Sequence, residues 1–293
     1  MARAGDRILT ATANAMIDWL DISDSIIKER AAQEIPIFGA TDDEVRALLP
    51  LAKREAERLD GLFDEVKTYC MFIGYPRSGH SLIRSLLDAH ECAVIAHELD
   101  ALKFLDAGFT DRQVFALLLE NSRRFSEIGS VWGEYSYAVR DQWQGRFKKL
   151  ALIGDKKAGG SAKRLGLDFN CLYRFRRDIL LQHRYAHVLR NPFDNIATIA
   201  KKHFTRLGPA TKLYFDHHRT NLSIINVVGG RNVLHMRHEE LIANPRTELV
   251  RLCRFLGIEA TDAYLRACSG VVFGKPSNSR HSVKWPENLH KSS

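Results

Sequence analysis

The sequence has no run of eighteen or more apolar residues among its 293 positions, which argues against a membrane-spanning helix. Its start, MARAGDRILTATANAMIDWL, lacks the continuous apolar stretch of a signal peptide. Cysteine is scarce: Cys70, Cys92, Cys171, Cys253 and Cys268 stand singly, with no C-x-x-C pair and no adjoining Cys/His cluster. Neither a disulfide framework nor a structural zinc site is therefore expected, and reduced thiols in a cytoplasmic protein are the reading. There is also no internal repeat, no low-complexity tract and no Gly/Pro/Ser-rich linker. With 45% hydrophobic residues the chain can bury a large core, as one big domain or one domain with an appendage.

Acid is the scarcer charge, with 35 Asp/Glu against 43 Lys/Arg, and it is unevenly placed. Residues 1–69 hold 9 Lys/Arg and 14 Asp/Glu, whereas residues 70–293 hold 34 and 21. The body of the chain thus favours a polyanion, either a nucleic acid or a nucleotide with several phosphates, and charge alone does not separate the two. Residues 1–69 read as a helical segment, a cap over the substrate or an oligomer contact such as a homodimer would use. Within it, Thr41 and Glu44 have capping-box spacing ahead of apolar residues at helical intervals.

From residue 70 onward the pattern alternates. Apolar runs at 70–73, 150–153, 185–189 and 233–236 read as buried strands, and helical patterns follow at 80–90, 193–204, 212–227 and 239–256. The expected fold is α/β, a parallel β-sheet flanked by helices, with ligands at the carboxyl ends of the strands.

The stretch CMFIGYPRSGHSLIRSLLDAH (70–90) reads as strand, tight loop and helix. GYPRSGHS has the spacing G-x-x-x-x-G-K-[ST] of a phosphate-binding loop, but His80 stands in place of the lysine. Gly74 and Gly79 permit close backbone approach, the amides of 77–81 can converge on a phosphate at a helix N-terminus, and Arg77, Ser78 and Ser81 add donors. An ordinary strand-to-helix turn is the bland alternative. Without the lysine nothing obvious bridges the β- and γ-phosphates of ATP, which argues against a standard kinase loop but not against phosphate.

PRSGHS at 76–81 resembles the 5′-phosphosulfate loop of sulfotransferases that use 3′-phosphoadenosine 5′-phosphosulfate (PAPS), P-[KR]-S-G-[TS]-[TS], departing from it at His80. RSGHSLIRSLLDAH is most similar to the tyrosylprotein and carbohydrate members. The resemblance spans roughly residues 70–290 and implies a P-loop nucleotide-hydrolase-like, three-layer sulfotransferase domain over 70–293. It implies cofactor contacts from Arg77, Ser78, Gly79, His80 and Ser81. Arg190 and, eight residues on, Thr198 correspond to the family's pair for the 3′-phosphate. Alone, an arginine ahead of a capped helix is commonplace, although Asn191 and Pro192 suit the N-cap and first helical position. MRHEELIANPRTELVRLCRFLGI (236–258) resembles another family segment, with His238 where a tyrosine is usual. In FGKPSNSRHSVKWPENL, Lys284 aligns with a cofactor-contacting lysine and Arg280 is a second candidate, while a solvated tail is the other reading.

The resemblance also implies a catalytic carboxylate eight residues beyond DAH, which is Glu98. His97 is the fallback base, and Glu98 as the start of the helix ELDALKFL is the structural reading. Lys156, in LALIGDKKAGG, aligns with a lysine that stabilises the departing oxygen, with Asp155 expected to orient it and Lys157 to be a solvated neighbour. A carboxylate in a partly closed cleft can have its proton affinity raised into the range useful for accepting a hydroxyl proton. Cations and amides suffice for charge stabilisation, so no metal is expected.

The leading expectation is a PAPS-dependent sulfotransferase acting on a hydroxyl-bearing small molecule, carbohydrate or lipid and releasing adenosine 3′,5′-bisphosphate. A divergent P-loop kinase using ATP and magnesium is the alternative enzyme, and a cofactor binder without catalysis is a further alternative. Nucleic-acid binding is the non-enzymatic alternative, disfavoured because the aromatics do not cluster with the basic residues. Trp132, Tyr135, Tyr137 and Trp143 are candidates for the acceptor pocket or for the core.

Overall fold

The computed structural model describes residues 41–132, 135–203, 205–272 and 274–285, so the segment expected to be helical over 1–69 is seen only from Thr41. Thr41 caps α1 (Asp42–Ala47). Its hydroxyl accepts from the Glu44 amide, while the Glu44 carboxylate accepts the Thr41 N–H at 2.6 Å. Pro50 then divides what reads in the sequence as one helix. Having no N–H to give the preceding turn, it sits in the first turn of a new helix, α2 (Leu49–Arg58).

The body runs β1 (Thr68–Gly74), α3 (His80–Asp88), β2 (Ala93–His97), α4 (Ala101–Asp106), α5 (Asp111–Glu127), a short hairpin of β3 (Val131–Trp132) and β4 (Tyr135–Ser136), β5 (Leu152–Lys156), α6 (Gly159–Leu167), α7 (Asn170–Asp178) and β6 (Gln182–Leu189). It continues with α8 (Pro192–Lys202), α9 (Leu207–Val228), β7 (Val233–Arg237), α10 (His238–Ala243), α11 (Pro245–Leu256) and α12 (Asp262–Ser269). The helical pattern over 239–256 is split at Pro245, which opens α11. The strand β2 was not among the expected four.

Five strands form one parallel sheet in the order β2-β5-β1-β6-β7, with β1 at its centre. Parallel neighbours need crossovers, and the crossing helices cover both faces. Strand alternation divides the core accordingly. Tyr69, Met71 and Ile73 of β1, with Val94, Ala96 and Ile153, pack on one face against α2 and α5. Cys70 and Phe72, with Ile95, Leu152 and Val188, pack on the other against α3, α11 and α12. Leu51 and Ala52 of α2 belong to the first of these clusters, so the visible part of the N-terminal segment shares the core of the sheet.

The buried polar residues of the strands sit almost entirely toward one end. His97, Asp155, Lys156 and His187 all occupy the carboxyl halves of their strands. Gly74 is level with Val188 and His97 with Lys156. That register brings the loop after β1, the ends of β2 and β5 and the start of α8 to the same edge of the sheet.

Candidate active site

The loop between β1 and α3 is held by its own carbonyls. Ser78 Oγ donates to Tyr75 O at 3.0 Å, Asn195 Nδ2 donates to Pro76 O at 3.1 Å, and Arg190 Nη1 donates to Arg77 O at 3.1 Å. A trans peptide points its N–H opposite its C=O, so tying back these carbonyls turns the Arg77 and Ser78 amides the other way. The first-turn amides of α3 add donors without intrahelical partners. Gly79, with φ 100°, is required here: a Cβ on it would lie 2.3 Å from His238 Nδ1. Arg77 is exposed and itself adopts φ 65°, a conformation costing of order 1–3 kcal/mol that persists only where the surroundings fix it.

His80 lies buried beneath the loop, its Nε2 3.1 Å from Ser78 Oγ. Since the serine's one proton goes to Tyr75 O, the imidazole donates from Nε2, which assigns its tautomer. Burial, and then the charge of Lys156, push the His80 pKa well below the ordinary imidazole value, so the ring is neutral. His238 Nδ1 is buried with no hydrogen-bond partner among the described residues, and burial and then Arg190 lower its pKa to about 4.

The ends of β2 and β5 present an ion-paired set. Lys156 Nζ, 1% exposed, donates to Glu98 Oε1 at 2.5 Å and to Ser81 Oγ at 3.2 Å. It therefore links the phosphate-type loop to the carboxylate. Burial lowers the Lys156 pKa while Glu98 opposes the shift. Lys157 Nζ reaches Glu98 Oε2 at 3.4 Å and the Glu98 carbonyl at 3.3 Å, so it belongs to the set instead of being a solvated neighbour. Glu98 is not the start of a helix. It follows the last residue of β2, adopts φ 62°, and α4 begins only at Ala101. Trp132 lies against the same lysine, its ring centroid 5.9 Å from Nζ. His97, one residue back, turns into the core: its ring stacks on Phe125 at 3.9 Å and is fully buried, and burial strongly lowers its pKa.

A second cationic site stands beside the loop. Arg190, just past β6, donates to Arg77 O, to Thr198 Oγ1 at 3.2 Å, to Ser277 O at 2.8 Å and to Ser279 Oγ at 3.4 Å. Asn191 caps α8 by accepting from the Phe193 and Asp194 amides. Asp194 in turn accepts the Arg280 amide at 2.8 Å, which fastens the polar segment 277–285 across α8. Trp285 completes the fastening by donating Nε1–H to Arg280 O and packing edge-on to Phe193. Lys284 is exposed on this segment.

The structure thus brings together Arg77, Ser78, Gly79, His80 and Ser81 with Glu98 and Lys156, and places Arg190, Thr198 and Arg280 next to them. It leaves His97 behind the wall. Of the four aromatics, Trp132 is at the site, and Tyr135 and Tyr137 lie with it on the hairpin and the residue after it. Trp143 is elsewhere: its amide bonds to Ala89 O at the far end of α3, at the opposite edge of the sheet. Sequence reasoning passed over Ser277, Ser279 and Asn195, whose roles arise from long-range hydrogen bonds, although the first two lie in the polar segment it had singled out.

No family model and no curated protein matches the chain. Among solved structures it is similar to the sulfotransferase domain of an olefin synthase from Synechococcus PCC 7002, at 20% identity and a TM-score of 0.46 over 78% of this chain and 84% of that one. It is also similar to a sulfotransferase domain from the curacin biosynthetic pathway, at 16% identity and a TM-score of 0.46, covering 74% and 83%. A mouse sulfotransferase, SULT7A1, crystallised with PAP, matches at 16% identity and a TM-score of 0.40, covering 80% and 75%.

Proposed function

We propose that the protein is a sulfotransferase that transfers a sulfuryl group from PAPS to a hydroxyl of a small-molecule, carbohydrate or lipid acceptor. One observation carries this reading: a single buried ammonium, Lys156, bridges the loop residue Ser81 and the carboxylate Glu98, and a separate guanidinium site lies beside that loop. Two anion sites suit a nucleotide phosphorylated at both ends. The orphaned His238 Nδ1 beneath Gly79 is a further polar group with bonding capacity to spare.

Arg77, Ser78, Gly79, His80 and Ser81 would hold the 5′ end, and Arg190 and Thr198, with Arg280 and Lys284, the 3′-phosphate. When bound, the donor supplies the sulfuryl group, which ends on the acceptor oxygen as adenosine 3′,5′-bisphosphate departs. Glu98 takes the hydroxyl proton of the acceptor on a carboxylate oxygen. Lys156 holds positive charge where negative charge develops, in a site that excludes water from its ammonium. Its bond to Ser81 keeps it against the loop, and its bond to Glu98 keeps base and cation in one geometry. His97, stacked and strongly disfavouring protonation, leaves the base role to Glu98.

Calorimetric titration with adenosine 3′,5′-bisphosphate, and with ATP plus magnesium, tests the reading on wild type and Arg190→Ala. Metal-independent binding of the bisphosphate, weakened by the substitution, is expected. Binding of ATP alone, and only with magnesium, would make the chain a divergent kinase and sink the proposal.

A further inference from the structure

Next to the proposed catalytic lysine lies a buried carboxylate to which the transfer step assigns no task. Asp155, 5% exposed, precedes Lys156 on β5, and its side chain does not touch that lysine's ammonium; Oδ1 accepts the Leu99 amide at 3.2 Å and Oδ2 accepts the Ala101 amide at 2.9 Å. Both amides belong to the turn that carries Glu98. We propose that Asp155 is a positioning residue for Glu98, its two oxygens clamping the backbone of the turn that aims the Glu98 carboxylate at Lys156. The inference rests on the base role proposed for Glu98.

The turn needs such a clamp. Pairing between β2 and β5 ends with the Glu98 amide donating to Lys156 O at 3.1 Å. Immediately afterwards Glu98 takes φ 62° and Asp100 φ 67°, left-handed conformations that cost free energy for a side chain such as glutamate and less for aspartate. The remaining ties are weaker or peripheral. Arg164 grips the Asp100 carboxylate with two bonds of 3.0 and 2.6 Å, and Lys157 Nζ lies 3.3 Å from Glu98 O. Among the described residues, only Asp155 reaches the amides between the two left-handed residues and just after them. Successive residues of a strand point to opposite faces, so one strand end controls Glu98 twice. Lys156 holds its carboxylate, and Asp155 holds two amides of the turn just after it.

The chemistry of the clamp requires an ionised carboxylate, because both partners are N–H donors and only a carboxylate presents two acceptors and no donor. Asparagine, although the same shape, would set an NH2 against one of the amides. Burial pushes the Asp155 pKa up to about 6; the Ala101 amide and Lys157 oppose this, and Asp100 and Glu98 add to it. Lys156, Arg84 of α3 and Tyr69 of β1 are coupled to this carboxylate electrostatically without a hydrogen bond to it. The folded-state value is raised, so the two-acceptor clamp is complete above about pH 6 and loses an acceptor as the pH falls through that value.

The test compares wild type, Asp155→Asn and Asp155→Ala by amide hydrogen exchange across 97–104. Alongside it, transfer kinetics are measured with PAPS and p-nitrophenol or N-acetylglucosamine from about pH 5 to about pH 8. Protection should fall roughly tenfold or more at both Leu99 and Ala101 in Asp155→Ala and at one or both of them in Asp155→Asn, with β5 unaffected. Turnover should fall about 100-fold with the KM for PAPS within about twofold of wild type, and the wild-type loss of turnover through pH 6 should be absent from the variants. Unchanged protection, or full turnover in Asp155→Asn, overturns the proposal, since an isosteric space-filler would then suffice. If neither variant folds, wild-type protection of the two amides, corrected for intrinsic exchange, must drop on acidification through pH 6, and a flat profile is equally fatal. Absence of bisphosphate binding and of transfer in wild type would be a failure of the sulfotransferase reading, and the exchange data would still decide whether the clamp exists.

Discussion

The two proposed anion sites sit side by side but are built in opposite ways. The loop after β1 is made from consecutive residues and offers backbone amides whose opposing carbonyls are already tied back by Ser78, Asn195 and Arg190. The site at Arg190 is made from residues far apart in sequence, and its Nη hydrogens are directed at Arg77 O, Thr198, Ser277 O and Ser279. An anion entering the loop adds bonds, whereas an anion at the Arg190 Nη groups must exchange them. The exchange is favourable in direction, since guanidinium–phosphate bonds are charge-assisted and about twice as strong as those to neutral oxygens. The net gain is nevertheless smaller than the gross strength of the new bonds. The loop is therefore expected to carry most of the affinity for the 5′ group, and Arg190 the discrimination between nucleotides with and without a 3′-phosphate.

The largest effects should come from the ion pair at the loop, where chemistry and binding separate. Glu98→Gln removes the proton acceptor, and Lys156→Met removes the buried cation. Each should lower turnover by about 100- to 1,000-fold, with calorimetric affinity for adenosine 3′,5′-bisphosphate staying within about threefold. A comparable loss of affinity would mean that the pair anchors the nucleotide instead of serving the transfer step. Next in size is Gly79→Ala. It places a methyl 2.3 Å from His238 Nδ1 and demands φ 100° of an L-residue, and bisphosphate binding should weaken by about 100-fold because the amide array can no longer form. Adding His238→Ala relieves the collision but not the dihedral, so only part of the affinity should return. Full recovery would show that space, not backbone conformation, is what the glycine provides.

How much of this was legible in the sequence follows the same division. The loop, a strand-glycine-helix unit, could be read directly, as could four strands from mostly apolar runs, although two of these carry a histidine and β5, LIGDK, begins two residues later than its run and extends past it. AVIAH (93–97) escaped because it is short, rich in alanine and ends in histidine, although it is fully buried at the sheet edge. Helices continued on paper across Pro50 and Pro245 because the apolar period persists on both sides, while the missing N–H forces a restart. The spacing of Arg190 and Thr198 was visible, being two turns of one helix beyond the strand. The partners Ser277 and Ser279 were not, since nothing local couples them to a residue 87 or 89 positions away. Asp155 shows the limit most clearly. Its place next to Lys156 suggested that it orients that lysine, but strand alternation sends it to the other face, where its partners are backbone amides that carry no sequence signal.

The smallest expected effect bears on the exchange argument itself. Thr198 Oγ1 has one proton to give, toward Asp194 O at 2.7 Å or Ser279 Oγ at 3.0 Å, and toward Arg190 it acts only as an acceptor. Thr198→Val keeps the shape and removes that acceptor, leaving Arg190 with Arg77 O, Ser277 O and Ser279. If binding at this site exchanges partners, losing one that an incoming phosphate would replace should weaken bisphosphate binding by no more than about fivefold, roughly 1 kcal/mol. Arg190→Ala should be clearly worse, by about tenfold or more, because the charge-assisted bonds themselves disappear. Adenosine 5′-phosphate, which lacks the 3′ group, should bind both variants as it binds wild type. An equal loss for both nucleotides would place Thr198 and Arg190 in support of the loop through Arg77 O, and the distinction between a site that adds bonds and one that exchanges them would collapse.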